Sequence, residues 1–488
     1  MLRKVFGMKN TSATADQQRR YTLAAACLGF VLVLLDVSVV NVALASLRVG
    51  FDTDVAGLQW VVNAYTLVFA ALLLTTGALG DRLGAKRVFM AGFVVFTLAS
   101  LGCGLATSLG ALIAARTLQG LGAAMLVPTS LSLLQQAFPD PVARSRAVGW
   151  WGASGGIALA AGPVLGGLLV THVGWRSIFL INLPIGLLGL WLTLRYAPSA
   201  PARPRKGFDV PGQCAAILAL GSLTAALTEA SRLGWHHPLV WGGLVFSFLA
   251  GGLFIRLESC SPHPMLPLGL FRHSAFSVAS TAGLIVNFAY YGLVFVFSLF
   301  FQSIQHFSPQ QTGLAFLPMT AILMTMNIVA GRLITRVGAR RIMVVGLVMA
   351  AVGYLLLLPV TAKGSYVGLV LPMLLAGSGI ALTSPTMINV TLSAVDPARA
   401  GIASGVLNSA RQIGGVLGVA VFGFLVRREE PALFMEGMHI SIAVAGGLLA
   451  IGAILSFFGI RPPAQSDSQE SGKTAMASTM AHRPSPLV

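Results

Sequence analysis

The chain has 488 residues, 56% of them hydrophobic and only 10% charged, with a formal net charge of +17 and a mean hydropathy of +0.82. A soluble globular domain carries about 25% charged residues, so the composition excludes that class and points to a polytopic membrane protein. The excess positive charge is no nucleic-acid signature, because Lys and Arg sit in short clusters between apolar runs.

In chain order, residues 1–20 are basic and polar and read as a cytoplasmic tail. The first apolar run, Tyr21–Leu47, is too long for a signal-peptide core and reads as a retained helix. Inside it, the stretch from Leu35 to Leu44 places Asp36 where lipid ought to be. A carboxylate near the bilayer centre costs ~2.5–3.5 kcal/mol or more, so it must face protein or water. Two readings stand: a protonatable group on a translocation path, or a side chain that caps or bonds a neighbouring helix.

Further runs of spanning length are Leu58–Leu79, Val88–Ala106, Leu109–Leu134, Ala147–Val170 and Ile178–Leu194, which complete a six-helix half over 21–196. A Pro/Arg-rich linker, 197–210, precedes two extra central runs, Pro211–Leu227 and Pro238–Ile255, within 211–257. A second six-helix half, 258–460, holds Phe276–Phe301, Thr312–Ile334, Ile342–Thr361, Tyr366–Leu392, Gly401–Val426 and His439–Ile460. The polar, Ser-rich stretch 461–488 is expected to be a disordered cytoplasmic tail. The expectation is therefore fourteen membrane helices with both termini inside. The positive residues agree with it: 24 of the 32 Lys and Arg fall in the cytoplasmic segments and six in the external loops. That bias is a strong positive-inside signal.

The segment Gly77-Ala-Leu-Gly-Asp81-Arg82-Leu-Gly84-Ala-Lys86-Arg87 recurs 254 residues later as Gly331 to Arg341. Both copies follow the second helix of a half. Repeated halves imply a pseudo-symmetric transporter with its site between them, near the midplane.

Of fifteen acidic residues only Asp36 is deep, and all eight histidines fall in loops, tails or helix ends. If protons are coupled, Asp36 is the best carrier. Burial disfavours its ionised form and a nearby cation favours it. Arg116 lies 7 residues into its run and Asp36 lies 11 before the end of its own. At ~1.5 Å per residue their depths differ by about 6 Å, within reach of an arginine. The hypothesis is that proton and substrate compete for Asp36 while Arg116 tunes its affinity; the alternative is an Arg116 bonded to backbone carbonyls. Arg411 is the other deep cation, able to bond neighbouring polar groups or to attract an anionic ligand group. Asn41, Asn63, Tyr65, Gln119, Asn287, Tyr290, Tyr291 and Asn389 are candidates to line a mostly apolar cavity for lipophilic, drug-sized compounds.

Four dispersed cysteines have no metal spacing. No nucleophile constellation or nucleotide-binding loop exists, since Gly472-Lys473-Thr474 lacks the upstream glycine. The reading is a non-enzyme without cofactor or metal.

These residues resemble the major facilitator superfamily, and within it the fourteen-helix drug:proton antiporters of EmrB/QacA type. The likeness covers nearly all of 21–460. It rests on the Asp36–Leu44 stretch, the Asp81 loop, Arg116 to Ala124, Ala158 to Gly167, Trp175 to Pro184, Pro264 to Phe271, and Gly401 to Gln412. Ala85, Ala158 and Thr335 depart from the family pattern. The resemblance implies an all-α polytopic major facilitator fold, two pseudo-symmetric six-helix halves plus two central helices, in a bacterial plasma membrane. It implies alternating access, export of lipophilic or amphipathic compounds in exchange for protons, and the proton gradient as energy source. Gly77, Asp81, Arg82, Gly84, Lys86 and Arg87 then form a cytoplasmic gating loop, a charge lock for the outward-facing state. Gly162, Pro163, Gly166 and Gly167 form the antiporter motif, where small residues and a missing helix bond seal a leak path or simply allow close packing. Partners are a small-molecule substrate, protons and lipid, with a periplasmic adaptor and outer-membrane channel left open and no nucleic acid. The alternative on the same fold is a facilitator or proton-coupled importer of a small metabolite.

Overall fold

The computed structural model describes residues 2–199, 209–262, 264, 266–395, 400–428 and 430–460. Among them every regular element is helical. The first half holds α1 (Leu2–Phe51), α2 (Val55–Leu83), α3 (Ala85–Leu105), α4 (Leu109–Ala137), α5 (Pro141–His172), α6 (Ser177–Leu180) and α7 (Asn182–Tyr196). The central pair is α8 (Val210–Leu233) and α9 (Pro238–Cys260). The second half holds α10 (Ser274–Leu299), α11 (Pro309–Ala315), α12 (Leu317–Val337), α13 (Ala339–Leu355), α14 (Val367–Ser393), α15 (Ala400–Leu425) and α16 (Pro431–Gly459). A π-helical turn, Phe300–Ile304, follows α10.

Local chemistry sets the helix starts. Asp54, Ser108, Asp140 and Asp209 each accept a bond from the backbone N–H three residues on, and Ser308 with Gln311 forms a reciprocal capping box at α11. Proline occupies the first turn of α5, α8, α9, α11, α12 and α16, where its missing N–H costs nothing.

Twelve helices or helix pairs among the described residues are long and apolar enough to cross a membrane. Two further helices fall short of that description. α13 has 17 residues, and α15 carries Asn408, Arg411 and Gln412 at its centre. The expected fourteen thus divide into twelve spans by length and composition and two whose apolar runs are short or polar.

Several boundaries differ from the sequence reading. α1 starts at Leu2, so helix continues through the expected 1–20 tail. The run Ile178–Leu194 breaks at Ile181 and Thr312–Ile334 breaks at Phe316, because short helices precede α7 and α12. The helix in Ile342–Thr361 stops at Leu355. Most of the 197–210 linker and all of the 461–488 tail lie outside the described residues.

The two halves repeat one packing scheme. α1 packs on α5 as α10 packs on α15; α3 packs on α4 as α13 packs on α14; α1 meets α7 as α10 meets α16. Between the halves, α2 lies against α15 and α5 lies against α11 and α12. α8 rests on both α2 and α15, covering that seam.

Gly84 joins α2 to α3 as a single residue with φ 95°, and Gly338 joins α12 to α13 with φ 88°. Only glycine enters that region without strain. The expected Gly77–Arg87 loop is therefore two helix ends around one glycine, because the backbone can reverse there without spacer residues.

Candidate functional site

The deepest polar cluster lies inside the first half. α1 presents Asp36 toward α4 and α7. Its carboxylate accepts from Arg116 Nη1, from Gln119 Nε2 at 2.8 Å and from Asn182 Nδ2 at 3.0 Å. Gln119 follows Arg116 by three positions, which puts both on one face of α4. Ser100 of α3 accepts from Gln119 Nε2 at 2.7 Å and from Asn182 Nδ2 at 3.3 Å. Arg116 Nε donates to Val61 O at 3.0 Å, and Nη1 also reaches Gln119 Oε1 at 2.7 Å. The guanidinium carbon stands 4.3 Å from the centre of the Tyr65 ring, a cation–π stack, and the Tyr65 hydroxyl donates to Val33 O at 3.3 Å.

Asp36 and Arg116 are each 1% exposed and Gln119, Asn182, Ser100 and Tyr65 are sealed. Buried charges persist only when paired and hydrogen-bonded. Both conditions hold, and the pair ties α1 to α4 with α3 and α7 as its walls. Asn182 Oδ1 is the one buried atom of the cluster that accepts nothing.

A separate cleft lies between the halves. It is lined by Val37, Ser38 and Asn41 of α1, Leu159 and Pro163 of α5, Tyr290, Tyr291 and Val294 of α10, and Phe316, Met319 and Thr320 at the start of α12. In this conformation its free interior is about 10 Å³, room for about one water molecule. Walls of this kind, mostly apolar with a few hydroxyl and amide groups, suit a lipophilic ligand. Asp36 is not among the lining residues, although Val37 and Ser38 follow it directly.

One end of the cleft is closed by the Gly-Pro motif of α5. A Cβ at Gly162 would meet Ser38 Oγ at 1.7 Å, and one at Gly166 would meet Val39 Cγ1 at 2.9 Å, so these glycines seat α5 on α1. Gly167 and Pro163 face the other half: a Cβ at Gly167 would meet Pro309 O at 2.6 Å, and one at Gly313 of α11 would meet Pro163 O at 2.1 Å. Gln59 closes the neighbouring seam by donating to Val419 O at 2.9 Å and Ala420 O at 2.8 Å of α15. Ser298 of α10 donates to Asn41 O of α1. Toward the other end, the α5 face that carries Leu159 and Pro163 continues through Gly156, Gly152 and Gly149 by helical period. At none of these would a Cβ touch anything within 4 Å. The cleft is sealed at the Phe51 end of α1, and toward the other end Leu74 of α2 lies against Gly405 of α15.

The remaining sequence candidates disperse. Gln119 and Tyr65, expected in the cavity, belong to the ion-pair cluster. Asn63 contacts Thr228 of α8 at 3.5 Å, since α8 covers that side of α2. Asn41 and Asn287 return their amides to Val37 O and Gly283 O of their own helices, each at 2.9 Å. Asn389 is exposed on α14. Arg411 is half-buried on α15, beside Gly283 of α10.

In the joint around Gly84, Lys86 Nζ donates to Leu194 O at 3.1 Å and Ala197 O at 2.9 Å. A cation thus satisfies the last carbonyls of α7, the favourable end of its dipole. Arg340 in the second copy stands 4.4 Å from the Phe457 ring of α16. Both copies pin the helix that closes their half.

Sequence reasoning gave no role to Ser100, Asn182, Glu229 or Gln213. Asn182 was visible as an amide inside an apolar run. Gln213 and Glu229 sit on the α8 face toward α2: Gln213 Nε2 donates to Ala71 O at 2.7 Å, Trp60 Nε1 donates to Glu229 Oε1 at 2.9 Å, and Ser231 reaches Gln59 at 3.0 Å. A polar ladder therefore fixes the central pair to α2.

The profile of the Major Facilitator Superfamily matches residues 26–419. The chain is 37% identical over 432 residues to a methylenomycin A resistance protein of Streptomyces coelicolor, covering 88% of this chain and 90% of that protein. It is 39% identical over 402 residues to the multidrug resistance protein Stp of Mycobacterium tuberculosis, covering 82% and 75%. It is 34% identical to a tetracenomycin C resistance and export protein of Streptomyces glaucescens, over 88% of this chain and 80% of that protein. In fold it is similar to a bacterial homolog of the human lysosomal transporter Spinster, with a TM-score of 0.64 at 18% identity over 96% of this chain and 99% of the other. It is also similar to the Escherichia coli xylose transporter XylE, with a TM-score of 0.63 at 14% identity over 92% and 99%.

Proposed function

The chain belongs to the Major Facilitator Superfamily, and from that premise we propose that it exports lipophilic or amphipathic drugs across a bacterial plasma membrane in exchange for protons. Relatives that cover most of both chains are resistance and efflux proteins, which supports export over import. The protein is a multi-pass membrane transporter and not an enzyme. All fourteen long helices or helix pairs cross the bilayer with both termini in the cytoplasm, a topology supported by the distribution of Lys and Arg. In that orientation the sealed end of the cleft is external. The Gly77–Arg87 joint, with the Asp81 charge lock of the sequence reading, closes the cytoplasmic end in the outward-facing state.

The observation that carries the coupling is the sealed Asp36–Arg116 pair one residue from the cleft. Protonation removes the negative charge opposite Arg116, which keeps Val61 O, Gln119 and the Tyr65 ring. A protonated carboxyl turns one of its oxygens into a donor while the other still accepts, and an amide can reverse to receive that O–H. Asn182 Oδ1 is the idle acceptor beside it. The bonds that hold α1 to α4 weaken, and α1 carries Val37, Ser38 and Asn41 into the cleft. Proton and substrate therefore communicate through α1 instead of competing for one carboxylate. The proton gradient supplies the energy and no cofactor is needed. Release at the outer face completes the cycle, so an adaptor and outer-membrane channel are optional partners.

The test is a resistance profile of an efflux-deficient strain expressing the chain. Wild type raises the inhibitory concentration of several lipophilic drugs at least about fourfold, and Asp36→Asn does not. A profile identical to empty vector contradicts the reading.

A further inference from the structure

We infer that Arg411 anchors an anionic group of the exported compound, which makes the substrate class a lipophilic molecule carrying a carboxylate or similar monoanion. This rests on the exporter reading and narrows it.

The argument begins with the deep charges. Among the described residues these are Asp36, Arg116 and Arg411, and the first two neutralise each other. Arg411 remains. Among the described residues it forms no ion pair with a carboxylate, and its Nε is buried without a hydrogen-bond partner. Arg116 shows what a structural arginine looks like in this protein: a carboxylate, a backbone carbonyl, an amide and an aromatic face all receive it. Arg411 has none of the first three. A cation held near mid-membrane without compensation is costly, and such residues mark ligand paths.

Its surroundings are built to hold the stem and leave the head available. Gly283 of α10 lets the helices approach, since a Cβ there would meet Arg411 Cγ at 3.1 Å. Gly283, Asn287 and Tyr291 recur at helical spacing on the α10 face toward α15. Tyr291 lies against Gly415, one turn beyond Arg411, where a Cβ would meet its ring at 2.8 Å. Tyr291 is an electrostatic neighbour of Arg411 and also a wall of the cleft. Tyr291 thus stands between the cation and the cleft, so a side-chain swing of Tyr291 brings the two together. A guanidinium offers two parallel N–H donors to a carboxylate, while Tyr290, Val294, Phe316 and Met319 receive an apolar body.

Three probes of one shape separate charge from hydrophobicity: 1-naphthoate, 1-naphthamide and 1-naphthylmethylammonium. Binding to the full chain in lipid nanodiscs is measured by titration calorimetry, and flux in proteoliposomes under an imposed pH gradient. Wild type binds the carboxylate at least about tenfold more tightly than the amide, and the ammonium least. Arg411→Gln brings the carboxylate to the level of the amide without weakening the amide, and Arg411→Lys restores part of the preference. A carboxylate bound no better than the amide by wild type, or a preference that survives in Arg411→Gln, overturns the proposal. Exporter function is judged apart, by whether any probe moves with the pH gradient.

Discussion

Arg116 on α4 donates to Asp36 on α1 across 80 positions of sequence, and the two side chains are 1% exposed or less. The pair lies in the membrane-spanning interior. Each partner is unaffordable there alone. Removing one member of a buried pair costs about 3–5 kcal/mol, much of it from the stranded charge. Arg116→Ala and Asp36→Ala are therefore each expected to lower thermal stability by that order in purified protein. The double variant loses clearly less than their sum, because no charge is left unpaired. Additive losses in a double-mutant cycle would mean the two side chains act independently.

The closure of the outer end makes a second expectation. Gly313 has no room for a side chain, with Pro163 O at 2.1 Å from its Cβ position, and Gly162 has none beside Ser38. Gly313→Val and Gly162→Leu are expected to abolish drug resistance while the protein still reaches the membrane, as read by immunoblot of the membrane fraction. Gly447→Leu on α16, exposed and with nothing within 4 Å of its Cβ position, leaves membrane insertion and resistance intact and serves as the control for bulk alone. Wild-type resistance in Gly313→Val would show that α5 and α11 need not meet.

The glycine joints predict a stability effect without a contact. Gly84 and Gly338 hold φ values of 95° and 88°. A side chain there costs on the order of 1–3 kcal/mol. Gly84→Ala and Gly338→Ala are expected to lower the unfolding midpoint comparably, whereas Gly221→Ala, with open space at its Cβ and a helical backbone, does not. Equal midpoints for all three would remove the strain argument.

These results also show which parts of the molecule are legible from the chain. Helices of lipid length announce themselves by hydropathy, and a rise of ~1.5 Å per residue suffices to match the depths of Asp36 and Arg116. The repeat around Gly84 and Gly338 revealed the pseudo-symmetry. Which face a polar residue presents was not legible. Gln119 and Tyr65 look like cavity residues because they are polar or aromatic in apolar helices, yet α4 and α2 turn them toward α1. Asn63 faces α8, a neighbour whose position no periodicity discloses. The breaks at Ile181 and Phe316 are invisible for another reason: both residues are apolar, so the hydropathy run passes through them unchanged.

Everted membrane vesicles address the coupling itself. An imposed inside-acid pH gradient is followed by a fluorescent base while a transported drug is added. In wild type the drug collapses part of the gradient, because each drug molecule entering the vesicle releases protons outward. With Asp36→Asn the drug leaves the gradient intact and drug uptake ceases to depend on it. Gradient-driven uptake undiminished in Asp36→Asn vesicles would contradict the assignment of Asp36 as the proton carrier.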